Sequence, residues 1–584
     1  MRTSRDGGGR VGLGLAVAFL LLSALFSGRC QRSSDVSDED VALLTEGKPI
    51  VGFLDFNEAR IVRFGVTSTS TGDFPDILMT LIVTNALGDA DIRCSPYNWV
   101  QQGRRGFPWV STHRQGADEV FMSSKTEEYK AAVIDVEVNR TGVTETIQAV
   151  GFQCWVVGAS RAGSAFELEA DVAVAGVGLI GDEQKALRTI FADCCAKKGA
   201  CKNWPRKGKK GIKLEFDLCH VQGNICDVKG RLTRLNMDGY GLGCEFPSRE
   251  FSVFEDMRKQ EVGRNKFTGD MAKVMDALAT LVNLTHINVR DNKLSGTLAN
   301  SKGLCEMTAS RLQFLDVQSN PVHGPIPECL ITSDSQLLDV ILSKTDISGT
   351  IPDVFAAESN LQAFIARDAR LFGKVPPSLA NPEQLTFLEL GANELTGRFP
   401  DGVEELPNIH TLSLQRNKIS GLPKAWNIAD RNNPTTLKFV DFGSNKIRGK
   451  FPLMLATVEH MDYLDLSRNK LKGTLPDAPG VFPNIYTLKL ANNRFHGAIP
   501  DSWGAMGMFQ VPPAIDISGK LDLRNNRDLS GELPDFFYPD ELQGNVPEVR
   551  IDKTSIACDV RGPSPYVTDT EECKGDPAAF GARR

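Results

Sequence analysis

The chain has 584 residues, 41% of them hydrophobic and 24% charged, a composition that excludes collagen-like, largely disordered and multi-span membrane proteins. At roughly 150 residues per domain it predicts three or four domains, or fewer if one is a repeat array that lengthens without a new core. Sixty-six Lys and Arg against 73 Asp and Glu leave a net charge of -7, which gives no global attraction to nucleic acid and argues against that partner class.

Arg2, Arg5 and Arg10 precede an apolar run over 11–26, so residues 1–30 read as a secretory signal cut near 28–30. Retained, the same run would be a signal anchor at a cell surface; no second apolar stretch of spanning length follows it. Residues 31–47 are acidic and polar and read as a linker. Thirteen cysteines become twelve if Cys30 leaves with the signal, an even number suited to an oxidising compartment. Asn139 and Asn283 head glycosylation sequons, as a secreted glycoprotein would carry.

Alternating runs at 61–66, 77–83, 132–138 and 154–157, parted by turn-rich intervals, predict a β-sandwich over 48–175. Cys94 and Cys154 are its only cysteines and could pair across the two sheets. Asp89 and Asp91 could ligate Ca²⁺ from a turn, the one cofactor considered, or form an Asx-type turn between strands. With Gly88, Ala90 and Ile92 they make a short motif followed by strands at 152–158 and 165–171. In that motif and strand order the region resembles the pre-peptidase C-terminal domain family, which implies a sandwich of the kind that often accompanies hydrolases.

Residues 176–247 read as a hinge, a solenoid cap and a first repeat. Gly176, Gly178 and Gly181 imitate a dinucleotide fingerprint between a strand and a helix starting at Asp182. Asp182 and Glu183, however, place carboxylates where a pyrophosphate would sit, so a glycine-rich hinge is the better reading. Cys194, Cys195, Cys201, Cys219, Cys226 and Cys244 lack paired zinc knuckles and are read as disulfides, with 15 connectivities open. Lys197, Lys198, Arg206, Lys207, Lys209, Lys210 and Lys213 form a basic run. Arg206, Lys207, Lys209 and Lys210 are candidates for binding a polyanion, with a solvated loop as the alternative.

From 248 to 547 the chain repeats. Leu385, Leu388, Leu390, Asn393, Leu395, Gly397 and Pro400 recur as Met461, Leu464, Leu466, Asn469, Leu471, Gly473 and Pro476, and again as Ile485, Leu488, Leu490, Asn493, Phe495, Gly497 and Pro500. Counted at the asparagine position there are twelve units from Tyr240 to Asn526, most of them 24 or 25 residues apart, with Tyr240, Thr345 and Ala369 interrupting the asparagine file. Each unit is a short strand and a return that cannot bury its own apolar face, so stacking must close the core. Val549 and Ile551 continue the pattern into a C-terminal cap over 548–573 without a new unit. Cys558 and Cys573 could close that cap, and residues 574–584 are a tail. The repeat resembles the plant-type extracellular leucine-rich repeat family. The resemblance implies a β-rich right-handed solenoid of short parallel strands with 3₁₀ or loop returns, disulfide-capped. It also implies a cap in which Cys219 pairs with Cys226.

Exposed strand positions in such a solenoid share one face, expected to be concave. One file holds Phe314, Phe387, Phe439 and Tyr463; the next holds Glu389, Asp441 and Asp465; beyond it stand Arg367, Arg416 and Arg468. Exposed aromatics and arginines are the usual anchors of an interface, whereas acids and arginines pairing across strands would be only a solvated lattice. No H-E-x-x-H, G-x-S-x-G or Walker motif occurs, so no catalytic residue is assigned. The expected function is that of a secreted, non-catalytic recognition or adhesion protein binding an extracellular protein or a cell-wall or matrix glycan. Alternatives are a polygalacturonase-inhibitor-like protein, a secreted hydrolase or its accessory, and a signal-anchored surface protein.

Overall fold

The computed structural model describes the backbone of most strand residues between 41 and 173, with few side chains there, then 178–557 except 196–200, 208–212, 222, 228, 428–434, 510–518 and 539–546, and Val567. The signal, Asp89, Lys197, Lys198, Lys209, Lys210, Cys558 and Cys573 lie outside the described residues. Of the expected linker only Val41–Leu43 is described, and it is a strand paired in parallel with 61–63, which corrects the linker reading at those residues. The chain divides into one unit of residues 1–188 and 204–236 and a second of 189–203 and 237–584.

In the first unit the alternating runs become strands of two sheets. One contains Ala59–Thr67, Ala90–Pro96, Val133–Arg140 and the long Val143–Gly158. The other contains Ile50–Leu54, Ser164–Ala173, Asp76–Val83 and Ala117–Met122. Cys94 and Cys154 are bonded, but as directly paired residues of adjacent antiparallel strands in one sheet. The expected bridge across two sheets is therefore corrected. Asp91 is a strand residue paired with Val157, not part of a turn, and its expected partner Asp89 lies outside the described residues. Asn139 pairs with Thr144 in the same sheet.

The second unit is the solenoid. Twelve three-residue strands, from Lys259–Glu261 to Glu548–Arg550, stack parallel and in register as a single sheet. The last of them, centred on Val549, extends the sheet by one strand beyond the units counted in the sequence. The middle residue of each strand points inward: Leu315, Leu388, Leu412 and Leu464 are fully buried. Pro-led returns carry short 3₁₀ turns such as Pro377–Ala380 and Asp501–Ala505. Their proline φ and missing N–H suit a bend where strand pairing has ended.

The asparagine file binds successive repeats. The Asn469 amide donates to the carbonyls of Phe442 (2.9 Å), Leu466 (3.1 Å) and Ser467 (3.2 Å), and its oxygen accepts from Ile447 N (3.0 Å). Asn393, Asn417, Asn445 and Asn493 repeat the pattern. Backbone groups that would be buried and unpaired are thereby satisfied from the neighbouring repeat. At Thr345 the hydroxyl reaches only Leu342 O, and Ala369 contributes nothing. The residue before each ladder position is left-handed in all twelve turns, from Arg264 (φ 49°) to Lys553 (φ 59°). A non-glycine residue there costs on the order of 1 kcal/mol, offset by the ladder that follows. Cys305 and Cys329 join two successive repeats through a disulfide at a separation of 24 residues.

Candidate functional site: the outer face of the long sheet

Register places the aromatic and acidic files where the leucine spacing put them. Phe387, Thr411, Phe439, Tyr463 and Thr487 stand side by side on consecutive strands, and Glu389, Ser413, Asp441, Asp465 and Lys489 form the parallel file two residues on. Their exposure differs from expectation. Phe314, Phe387 and Phe439 are only 3–4% exposed, and Tyr463 is half-buried. The cause is the strand spacing of roughly 4.8 Å, close to the thickness of stacked rings. The Phe439 and Tyr463 rings lie 4.3 Å apart and 11° from parallel, and Phe314 stacks on His286 at 5.8 Å. The expected exposure of these phenylalanines is corrected: Phe439 and Phe314 are covered by stacked rings, and Phe387 is buried between Ala363 and Thr411.

The acidic file is also partly structural. Asp441 accepts from Gly443 N (2.9 Å), Asp465 from Ser467 N (2.8 Å) and Asp316 from Gln318 N (2.9 Å), each closing the turn into the left-handed residue. Glu389 and Asp465 are buried. Gly443 fits between two of these carboxylates, since a Cβ there would lie 2.9 Å from Asp465 and 3.1 Å from Asp441. Burial, followed by the neighbouring Asp465 charge, pushes the Asp441 carboxyl up to about 7, against the opposing pull of Gly443 N–H, Lys489 and Arg367. Burial raises Asp316 to about 7 as well.

Lys489, which extends the same file, was missed in the sequence. Its ammonium donates to the Tyr463 hydroxyl (2.6 Å), lies 3.6 Å from Asp465 and sits 4.6 Å from the Tyr463 ring centroid. Burial and the Asp465 and Asp441 charges hold the Tyr463 phenol well above its ordinary range. Phe439, Tyr463, Asp441, Asp465 and Lys489 thus form one half-buried polar-aromatic patch. Arg416 and Arg468 stand beyond it at left-handed turn positions, exposed and with no ion pair within 4 Å among the described residues. Arg367 is half-buried and acts electrostatically on Asp441. Pairing across neighbouring strands does occur in places, as in Lys520 with Glu548 at 3.0 Å.

The Asp441 environment sets a pH dependence. Its folded pKa is raised above the unfolded 3.8, so the native state binds the extra proton between about 4 and about 7. Stability from this group is therefore present below pH 4 and lost as pH rises through 7. Asp441→Asn is expected to stabilise the chain at pH 8 by on the order of 1–2 kcal/mol and to flatten the fall between pH 4 and 7. Urea midpoints at pH 4, 6 and 8 check this; an unchanged pH profile would contradict it.

Elsewhere, the first unit carries Arg206, exposed, in a two-stranded pairing of Arg206–Lys207 with Lys213–Leu214. At the described end of the glycine motif a protein carboxylate takes the place a phosphate would need. The Asp217 carboxylate accepts from Leu179 N (2.9 Å) and would meet a Cβ on Gly178 at 3.0 Å. Glu183 is buried, raised to about 7 by desolvation, and accepts from Leu232 N. The cysteine cluster is fully bonded as Cys194–Cys244, Cys195–Cys201 and Cys219–Cys226, so it leaves no thiolates for zinc. Asn283 lies exposed in a turn.

A Leucine Rich Repeat family model matches residues 460–482. The Arabidopsis receptor kinase HAESA, solved in complex with the peptide hormone IDA and the co-receptor SERK1, is similar over 65% of each chain, with a TM-score of 0.51 and 20% identity. The solenoid is a leucine-rich-repeat fold of the plant type. Among curated proteins this leucine-rich-repeat chain resembles Receptor-like protein 54 of Arabidopsis thaliana, 27% identical over 41% of the chain and 29% of the relative. Receptor-like protein 32 of the same plant is 34% identical over 38% of the chain and 27% of the relative. Cuscuta receptor 1 of Solanum lycopersicum is 25% identical over 40% and 20%. The chain thus spans less than a third of each of these relatives. Among the described residues no helix is long and apolar enough to cross a membrane.

Proposed function

We propose that the chain is an extracellular, non-catalytic recognition protein whose leucine-rich-repeat sheet binds a protein or peptide partner on its outer face. The observation that carries this is the pairing of a half-buried patch, Phe439, Tyr463 and Lys489, with the exposed Arg416 and Arg468 beside it, which have no ion pair among the described residues. Buried aromatics rimmed by exposed arginines resemble the core and rim of a protein interface. The arginines occupy left-handed turns that glycine or asparagine would hold at less cost, and those turns present them to solvent. Phe314, Phe387, Glu389, Asp441, Asp465 and Arg367 serve this reading as the scaffold that sets the shape and charge of the face.

Receptor-like relatives and a peptide-bound structural neighbour favour a peptide or protein over a glycan on this face. The test is an array of secreted peptides and proteins probed with the full chain and with its Arg416→Glu, Arg468→Glu variant. Binders of the native chain are expected to weaken about tenfold or more in the variant, whose melting temperature stays within about two degrees. Binders indifferent to both charge reversals would sink the assignment.

A further inference from the structure

A second row of strands follows the ladder positions of the solenoid, away from the long sheet. It forms parallel five-stranded sheets, one of which contains Arg448–Gly449, Lys470–Gly473, Arg494–Gly497 and Asp528–Glu532. The residue just after each ladder position heads this row. After Lys266, Lys293 and Pro321 these heads are Asp346, Arg370, Glu394 and Lys418, then Lys446, Lys470, Arg494 and Arg527. The four from Asp346 to Lys418 alternate in sign and neutralise one another: Arg370 meets Asp346 at 2.7 Å and Lys418 meets Glu394 at 2.9 Å. At Lys446 the alternation stops.

Three consecutive repeats then present only cations. Lys446, Arg448, Lys450, Lys470, Lys472 and Arg494 are all exposed, and none has an ion pair within 4 Å among the described residues. His496 extends the row. The acids that bound it are Glu394, already held by Lys418, and Asp528, opposite His496 in the register. In a protein of net charge -7 this is a local reversal of sign. Like charges on strands roughly 4.8 Å apart lie well inside a Debye length of about 10 Å and repel one another unless an anion covers them.

We infer that this lateral strip binds a linear acidic glycan whose carboxylate or sulfate groups lie across successive strands. The charges recur at the pitch of the solenoid, and a partner with regularly spaced anions matches such a row better than the irregular acids of a folded protein. Protein interfaces are also depleted of lysine, whereas four of these six cations are lysines. No aromatic side chain stands between the cations at the exposed strand positions, so the base-stacking platform of a single-stranded nucleic-acid site is missing there. This strip is separate in residues from the outer face of the long sheet, and its failure leaves that reading untouched.

The experiment measures binding of the full chain to immobilised polygalacturonate at about 50 mM and about 300 mM salt, with neutral dextran as control. Four substitutions, Lys446→Gln, Arg448→Gln, Lys472→Gln and Arg494→Gln, remove the strip. A matched set, Lys293→Gln, Arg370→Gln, Lys374→Gln and Lys418→Gln, removes the same charge from earlier repeats. Saturable, salt-sensitive binding is expected, weakened about tenfold or more by the first set and less than about threefold by the second. Absent saturable binding, equal loss in both sets, or retention on phosphatidylserine vesicles or polyglutamate that polygalacturonate fails to displace would each overturn the inference.

Discussion

Asn469→Ala is expected to destabilise the C-terminal repeats by about 3–5 kcal/mol, enough to melt them while the repeats before Asn445 remain folded. The side chain makes four hydrogen bonds, to Phe442 O, Leu466 O, Ser467 O and from Ile447 N, and all of these groups belong to the buried turn between two repeats. Alanine removes the partner and leaves the backbone groups where water does not reach, so the loss is the desolvation cost of several orphaned groups and not the small net value of one bond. Because repeats contact chiefly their neighbours, the damage should stay local. Urea unfolding followed by circular dichroism should therefore gain an early transition. A single transition shifted by less than about 1 kcal/mol would show that the ladder is dispensable there, as it is naturally at Ala369.

The second large effect concerns the aromatic file. Reading Phe387, Phe439 and Tyr463 from the sequence as exposed anchors predicts that replacing all three with alanine abolishes binding and leaves unfolding nearly unchanged. Their burial reverses the second half of that expectation. Phe387 and Phe439 are 3% exposed, and the Phe439–Tyr463 stack carries Lys489 on its flank. The triple change is expected to cost about 4 kcal/mol or more in all, below the sum of buried Phe→Ala values because the face is open to water on one side. The pair at 439 and 463 should be non-additive, since each ring covers the other. Thermal melts of the single, double and triple variants check this. A triple variant melting within about two degrees of the native chain would contradict the packing described here.

The inward leucines were legible because a 24-residue period and the L-x-L spacing leave one way to bury them, and register followed from the same count. Exposure was not legible. Whether Phe439 faces water depends on the ring 24 residues later, and the close parallel spacing turns a file of outward positions into a stack. The acids of the next file looked like a charged lattice, but Asp316, Asp441 and Asp465 mostly close their own turns, a local bond that an Asp two residues before a turn could have signalled. Cys305 and Cys329 carried a fainter signal, since they lie at nearly but not wholly equivalent positions of successive repeats, 15 residues before Asn320 and 16 before Thr345. The Cys94–Cys154 bridge was named correctly and its geometry missed, because which strands neighbour each other in an antiparallel sheet is not encoded by alternation. The lateral cations were visible in the sequence only after the ladder asparagines were used to align the residue that follows each of them.

The most direct test of recognition through the long sheet is hydrogen exchange of the full chain with and without the tightest binder found on the secreted-peptide array. The account predicts slowed exchange centred on the strands Thr411–Ser413, Phe439–Asp441, Tyr463–Asp465 and Thr487–Lys489 and on the turns at Arg416 and Arg468. Slowing confined to the sheets between 41 and 173, or to the lateral strands from Arg448 to Gly497, would contradict it.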